Sequence, residues 1–142
     1  MKNLRRQTNK QKACDDAVWL NFIHRNEGKQ FGVIQSIEGD FLVISPNHPT
    51  FRNEVFETLP TDFSNMDYTH IRNISMDVNP LPFWENLKGM FSIQDGELLR
   101  FILKYQIPLE KFIRYELASR GYDENHQWVG FEKAEEIWLT NE

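Results

Sequence analysis

Apolar positions recur every four residues near the start of the chain, then change period, then return to helical spacing from Pro82 onward. Cys14, Val18 and Phe22 form the first stripe, with Trp19 and Ile23 beside them. One such face predicts a helix from about Lys10 to Asn26. Asp15 and Asp16 fall near its expected start and His24 and Arg25 near its end, which suits a helix dipole. Gly28 supplies a stop. Two β-rich runs follow, Phe31 to Ile37 and Phe41 to Ser45, on either side of Glu38-Gly39-Asp40. A short turn holding Gly and Asp between such runs predicts a hairpin.

Residues 46 to 67 carry Pro46, Pro49 and Pro60 among many Asn, Asp, Ser and Thr. That is loop composition, with room for a short piece around Val55 and Phe56. A loop of that length inside a compact domain is often functional. Residues 68 to 78 read as a third strand with irregular alternation. Pro82 suits the first turn of a short helix over residues 82–91. Ser92 with Asp95 resembles a capping box for a helix carrying Ile93, Leu98, Leu99, Ile102 and Leu103. Pro108 breaks that helix and begins another, with Leu109, Phe112, Ile113 and Leu117 on one face and Gly121 as its stop. A last helix, from about Gly130 to Leu139, has Phe131, Ala134, Ile137 and Trp138 on one stripe.

The order is therefore an N-terminal helix, a small antiparallel sheet of two or three strands with its hairpin at 31–45, and a C-terminal cluster of about four helices. Strands grouped together and helices grouped together make this an α+β chain. No repeat, low-complexity tract or linker divides residues 1–142, so a single domain is expected, with residues 1–9 as a flexible basic leader.

Charge narrows the function. Lys2, Arg5, Arg6, Lys10 and Lys12 precede the first acid, Asp15. The other 11 basic residues face all 21 acidic ones, so residues 13 to 142 carry −10. Such a body repels phosphate backbones and suits a basic protein partner. The single cysteine, Cys14, excludes an internal disulfide and lies on an apolar helix face, as a buried thiol does. No apolar run approaches the ~20 residues of a membrane span, and no signal-peptide stretch follows the basic N-terminus. The expected location is the cytoplasm, and the sequon Asn73-Ile74-Ser75 is then chance.

The helix pair around Pro108 has the outline of a DNA-reading motif. Its second helix, however, offers Glu110 and Glu116 among Lys111, Arg114 and Arg120, and residues 83 to 142 hold 7 basic and 11 acidic residues. Such a surface neutralises few phosphates. A nucleic-acid-associated regulator built on helices 93–121 and the leader is thus a secondary reading, and core-forming helices are expected there.

Motifs for chemistry are lacking. His24, His48, His70 and His126 stand at no metal-binding spacing from one another or from Cys14, and each reads as a surface or singly bonded residue. No GxSxG, CxxC, HExxH or phosphate-binding glycine loop occurs. Asp40, Glu54 and Glu57 sketch a carboxylate group of the kind metal-dependent nucleases and hydrolases use, but no Lys lies between residues 30 and 87. Asp40 alone reads as a turn residue. The expectation is no catalytic residue, no metal, no cofactor and no small-molecule substrate.

The last third carries the best interaction signature. Tyr122, Trp128 and Trp138 are set among Asp123, Glu124, Glu132, Glu135 and Glu136. Aromatic anchors within an acidic rim can hold a basic protein surface. The reading is a non-enzymatic protein-binding domain, most concretely a bacterial immunity-type protein that neutralises a basic toxin domain.

Overall fold

A computed structural model describes residues 5–45 and 55–140. Along the chain lie β1 (Arg5–Gln7), α1 (Lys10–Ile23), β2 (Gly32–Gln35), β3 (Phe41–Ile44), α2 (Tyr68–Met76), α3 (Pro82–Ser92), α4 (Gly96–Lys104), α5 (Leu109–Arg120) and α6 (Phe131–Leu139). The fold is α+β, with a three-stranded antiparallel sheet, an N-terminal helix and a C-terminal helical cluster. The backbone groups into two compact units, Met1–Gly89 and Met90–Glu142. No helix among the described residues is long and apolar enough to cross a membrane.

In the first unit the strand order is β1-β3-β2. The expected hairpin pairs Val33 with Val43 and Gln35 with Phe41. Its turn is closed by the Ser36 N–H donating to the Asp40 carbonyl at 2.9 Å. Successive strand residues face opposite sides of a sheet, and both sides are used. Val33 and Val43 pack with Ala13, Cys14, Ala17, Leu20 and Phe31, where α1 covers the sheet. Ile34, Leu42 and Ile44 pack with Phe56 in a second cluster. Each large apolar side chain so buried contributes roughly 1.5–3 kcal/mol.

The third strand is not at 68–78. It is β1, drawn from the expected leader, pairing Arg5 with Val43 and Gln7 with Phe41. The Arg6 guanidinium fixes it, donating to Asp40 Oδ2 at 2.6 Å and Glu38 Oε2 at 2.9 Å. Residues 68–76 are the helix α2 because the Asp67 carboxylate caps them, accepting from the His70 N–H at 2.8 Å. Part of the expected 46–67 loop, with Glu54 and His48, lies outside the described residues. Farther on, Asp95 and not Ser92 caps α4, its Oδ1 accepting from the Glu97 N–H at 2.8 Å. Ser92 is the last residue of α3.

In the second unit α5 packs on α6. The residue each helix buries is small, Ala118 on α5 and Ala134 on α6, which lets the backbones approach closely. Gly121 ends α5 in the left-handed conformation with φ +79°, as its position past Arg120 implied. The expectation of core-forming helices at 93–121 holds for α5 at Ala118, whereas α4 buries no residue. Leu98, Phe101, Leu103, Leu109, Phe112 and Ile113 remain between 39% and 80% exposed. Glu97, Arg100 and Lys104 share one side of α4 and its apolar residues form a broad face opposite, of which Leu99 and Ile102 are half-buried.

Candidate functional site

Two features of the molecule have the makings of a site, one in each unit. The first begins in α1, where Asp15 and Asp16 are buried at 4% and 2% exposure among Ala13, Cys14 and Ala17. Neither serves the helix dipole in the manner the sequence implied. Asp16 accepts from the Gln7 amide of β1 at 2.7 Å. Asp15 Oδ2 lies 2.8 Å from His70 Nε2 on α2, and its Oδ1 takes a long contact of 3.4 Å from Gln11 Nε2. Burial pushes both carboxyls above the usual range, opposed by His70 at Asp15 and by Gln7 at Asp16. Burial likewise raises the Cys14 thiol, which is inert there.

One turn earlier, Lys12 Nζ sits 2.9 Å from Asp77 Oδ2, just past the end of α2. The Asn79 backbone N–H, and after it Lys12, hold the Asp77 carboxyl below its ordinary value. The Lys12–Asp77 ion pair and the Asp15–His70 contact link α1 and α2 across a cavity of about 380 Å³. Polar walls come from Gln7, Gln11 and Asn73, and apolar ones from Ile74, Leu81 and Trp84. The Trp84 indole Nε1 is buried without a hydrogen-bond partner. α2 itself buries no residue, so apolar packing does little to seat it.

The sequence reading missed this arrangement. Its signal was Asp15, an acid directly beside Cys14 in the apolar stripe and flanked by alanines. A carboxylate there has to be buried, and a buried carboxylate needs a partner. The partner, His70, lies 55 residues away and no local pattern identifies it.

The second feature is the surface the sequence singled out. Tyr122 and Trp128 form an isolated antiparallel bridge, and their rings meet edge to face at 5.5 Å. His126 stacks on Tyr122 at 4.8 Å, and Phe131 meets Trp128 at 5.3 Å. The result is one continuous aromatic patch, of which the sequence reading named only Tyr122 and Trp128. Trp138 stays half-buried and donates to the Tyr122 carbonyl at 2.9 Å. Asp123 has a structural task, its Oδ1 accepting from the backbone N–H groups of Asn125 at 2.9 Å and Gln127 at 2.8 Å. Glu124, Glu132 and Glu135 are exposed, and Glu136 is exposed with Lys133 Nζ at 3.4 Å. On α6, Glu132 lies three and four residues from Glu135 and Glu136, so the three share a side of the helix.

The alternative sites are occupied by internal contacts. Asp40 is held by Arg6 and by the Ser36 hydroxyl. Among the described residues no three His, Cys, Asp or Glu side chains group so as to hold a metal ion. On the helices offered for nucleic acid, Arg114 is paired with Glu110 and Arg120 with Glu116, both at 3.1 Å. Compared with known proteins, the chain matches no family model, no curated protein and no solved structure.

Proposed function

We propose that the protein is a non-enzymatic protein-binding domain, acting in the cytoplasm, whose 122–136 surface holds a basic protein partner. Its most concrete form is an immunity-type protein that covers a basic toxin domain, often a nuclease, and blocks that domain's substrate site. The observation that carries the reading is the aromatic patch of Tyr122, Trp128 and Phe131 beside the carboxylates of α6. Trp128 and Phe131 are each 59% exposed, although their ring contacts hold them in place. Anchors already fixed in the free protein lose little side-chain entropy on binding. Glu132 and Glu135 supply the negative rim that speeds encounter with a positive surface and excludes phosphate.

The test compares the wild type with a Glu132→Lys, Glu135→Lys, Glu136→Lys variant. Affinity capture and mass spectrometry identify proteins that the wild type retains and the variant loses. Association rates of those partners are then measured over a range of salt. A basic partner whose on-rate falls with salt for the wild type, and loses that dependence for the variant, supports the reading. Partners that bind both proteins at the same rate, or a nucleic acid retained at low salt, overturn it.

A further inference from the structure

We propose that the protein forms a two-fold dimer through α4 and the outer side of α5, with the α4 helices of the two copies laid antiparallel. The inference concerns the second unit and is independent of the reading given to the 122–136 surface.

The first observation is where the apolar side chains stand. Leu98, Phe101 and Tyr105 recur at spacings of three and four, so they line one side of α4, and they are 44%, 50% and 62% exposed. The rings of Phe101 and Tyr105 lie 5.1 Å apart. On α5, Leu109, Phe112 and Ile113 form a second stripe, 39%, 65% and 59% exposed. At about 100° per residue this stripe lies on the side of α5 away from Ala118, the residue buried where α5 packs on α6. α6 therefore does not cover it. The second observation is extent. At these exposures the six side chains leave on the order of 600 Å² of apolar surface on each copy. Apolar surface on that scale marks an interaction site. A stable interface takes roughly 800 Å² from each partner, which the two stripes and their charged rim can supply.

Charge then selects the occupant. Residues 93–121 hold four acids and five bases, so this segment is close to neutral within a chain of net charge −5. A basic protein is drawn to the carboxylates of 122–136 instead, whereas a second acidic copy meets no repulsion here. On α4, Glu97 lies in the first turn and Lys104 in the last, both on the same flank of the Leu98, Phe101 and Tyr105 stripe. Antiparallel pairing about a two-fold axis brings Glu97 of each copy to Lys104 of the other and Leu98 to Tyr105, with Phe101 near its own counterpart. Parallel pairing would bring like charges to like ends. Glu97 touches Arg100 within its own helix but is 81% exposed, and a carboxylate accepts more than one donor. The face is thus complementary to itself in one orientation.

The experiment is sedimentation equilibrium of the full chain between about 1 and 100 µM. The expected result is a reversible dimer, twice the mass of the chain. Phe101→Glu sets two carboxylates near the axis and is expected to weaken the dimer about a hundredfold or more. Circular dichroism checks that this variant is folded. Should it unfold, the exposed charge pair provides the second test. Glu97→Lys and Lys104→Glu each put like charges together at two symmetric positions, and each weakens the dimer by about tenfold. The double variant restores opposite charges and returns to within about threefold of the wild type. A chain that stays monomeric over the whole range overturns the proposal. So does a dimer that a folded Phe101→Glu variant leaves intact, a double variant no tighter than the single ones, or assembly that grows past the dimer.

Discussion

The indole of Trp128 lies so close to the backbone of Gly121 that a Cβ built on that glycine would stand 2.4 Å from Cζ3 of the ring. The same glycine ends α5 with φ at +79° and accepts the N–H groups of Val129 at 3.0 Å and Gly130 at 3.2 Å. Helix stop, aromatic patch and entry to α6 therefore meet at one residue. Gly121→Ala adds left-handed strain to a steric overlap, and is expected to cost roughly 2–4 kcal/mol. Urea unfolding checks the magnitude. A loss well under 1 kcal/mol would mean that the Trp128 ring moves aside without cost.

Ala118 and Ala134 are 2% and 0% exposed where α5 packs on α6. Ala134→Leu inserts three carbons there and is expected to destabilise the second unit by about 1–3 kcal/mol. Ala134→Ser, close in volume, is the control for size, although its hydroxyl carries a desolvation cost of its own. Thermal unfolding of both variants separates the two effects.

Asp15 gives a stability signature in pH. Burial raises its folded carboxyl above the unfolded value of 3.8. Folding therefore penalises the charged form. That penalty is absent below 3.8, grows as pH rises to the folded value, and is constant above it. Asp15→Asn has no titrating group there. Wild-type stability measured against this variant should thus fall across that window and then level off. Urea unfolding at a series of pH values provides the curve. A difference that instead rises with pH would mean that the contact to His70 outweighs burial.

Asp40 has the opposite sign. The Ser36 hydroxyl and then Arg6 hold its carboxyl below 3.8. The stabilisation is present above 3.8 and is lost as pH falls through the lower folded value. Asp40→Asn should be less stable than the wild type at neutral pH and converge with it in strong acid. Arg6→Gln should shrink this convergence without abolishing it, because Ser36 remains. Parallel curves for Asp40→Asn and the wild type would show that the carboxylate contributes no charge-dependent stability.

Elements built from neighbours were legible in the sequence, and elements built from distant partners were not. The hairpin announced itself by β-rich runs around Gly39, and α5 by its apolar stripe and Gly121. β1 is Arg-Arg-Gln, with no apolar alternation to mark it; its strand character comes from β3, more than thirty positions on. α2 was misread because Ile71 and Ile74 mimic strand composition, while the deciding residue was the cap at Asp67. At the C-terminal surface, Tyr122, Trp128 and the α6 carboxylates could be named from composition. That Asp123 is used up inside its own loop depends on backbone geometry. The same holds for the cavity, since Asp15 and Asp77 acquire their meaning from His70 and Lys12.

The order β1-β3-β2 also imposes a sequence of events on synthesis. Residues 5–7 leave the ribosome first, yet the strand they pair with ends at Ile44. The hairpin closes over a short loop, whereas β1 must close one several times longer. Until then Arg5–Gln7 stay unpaired. A fused segment that occupies Arg5–Gln7 would therefore leave that edge of β3 without its partner.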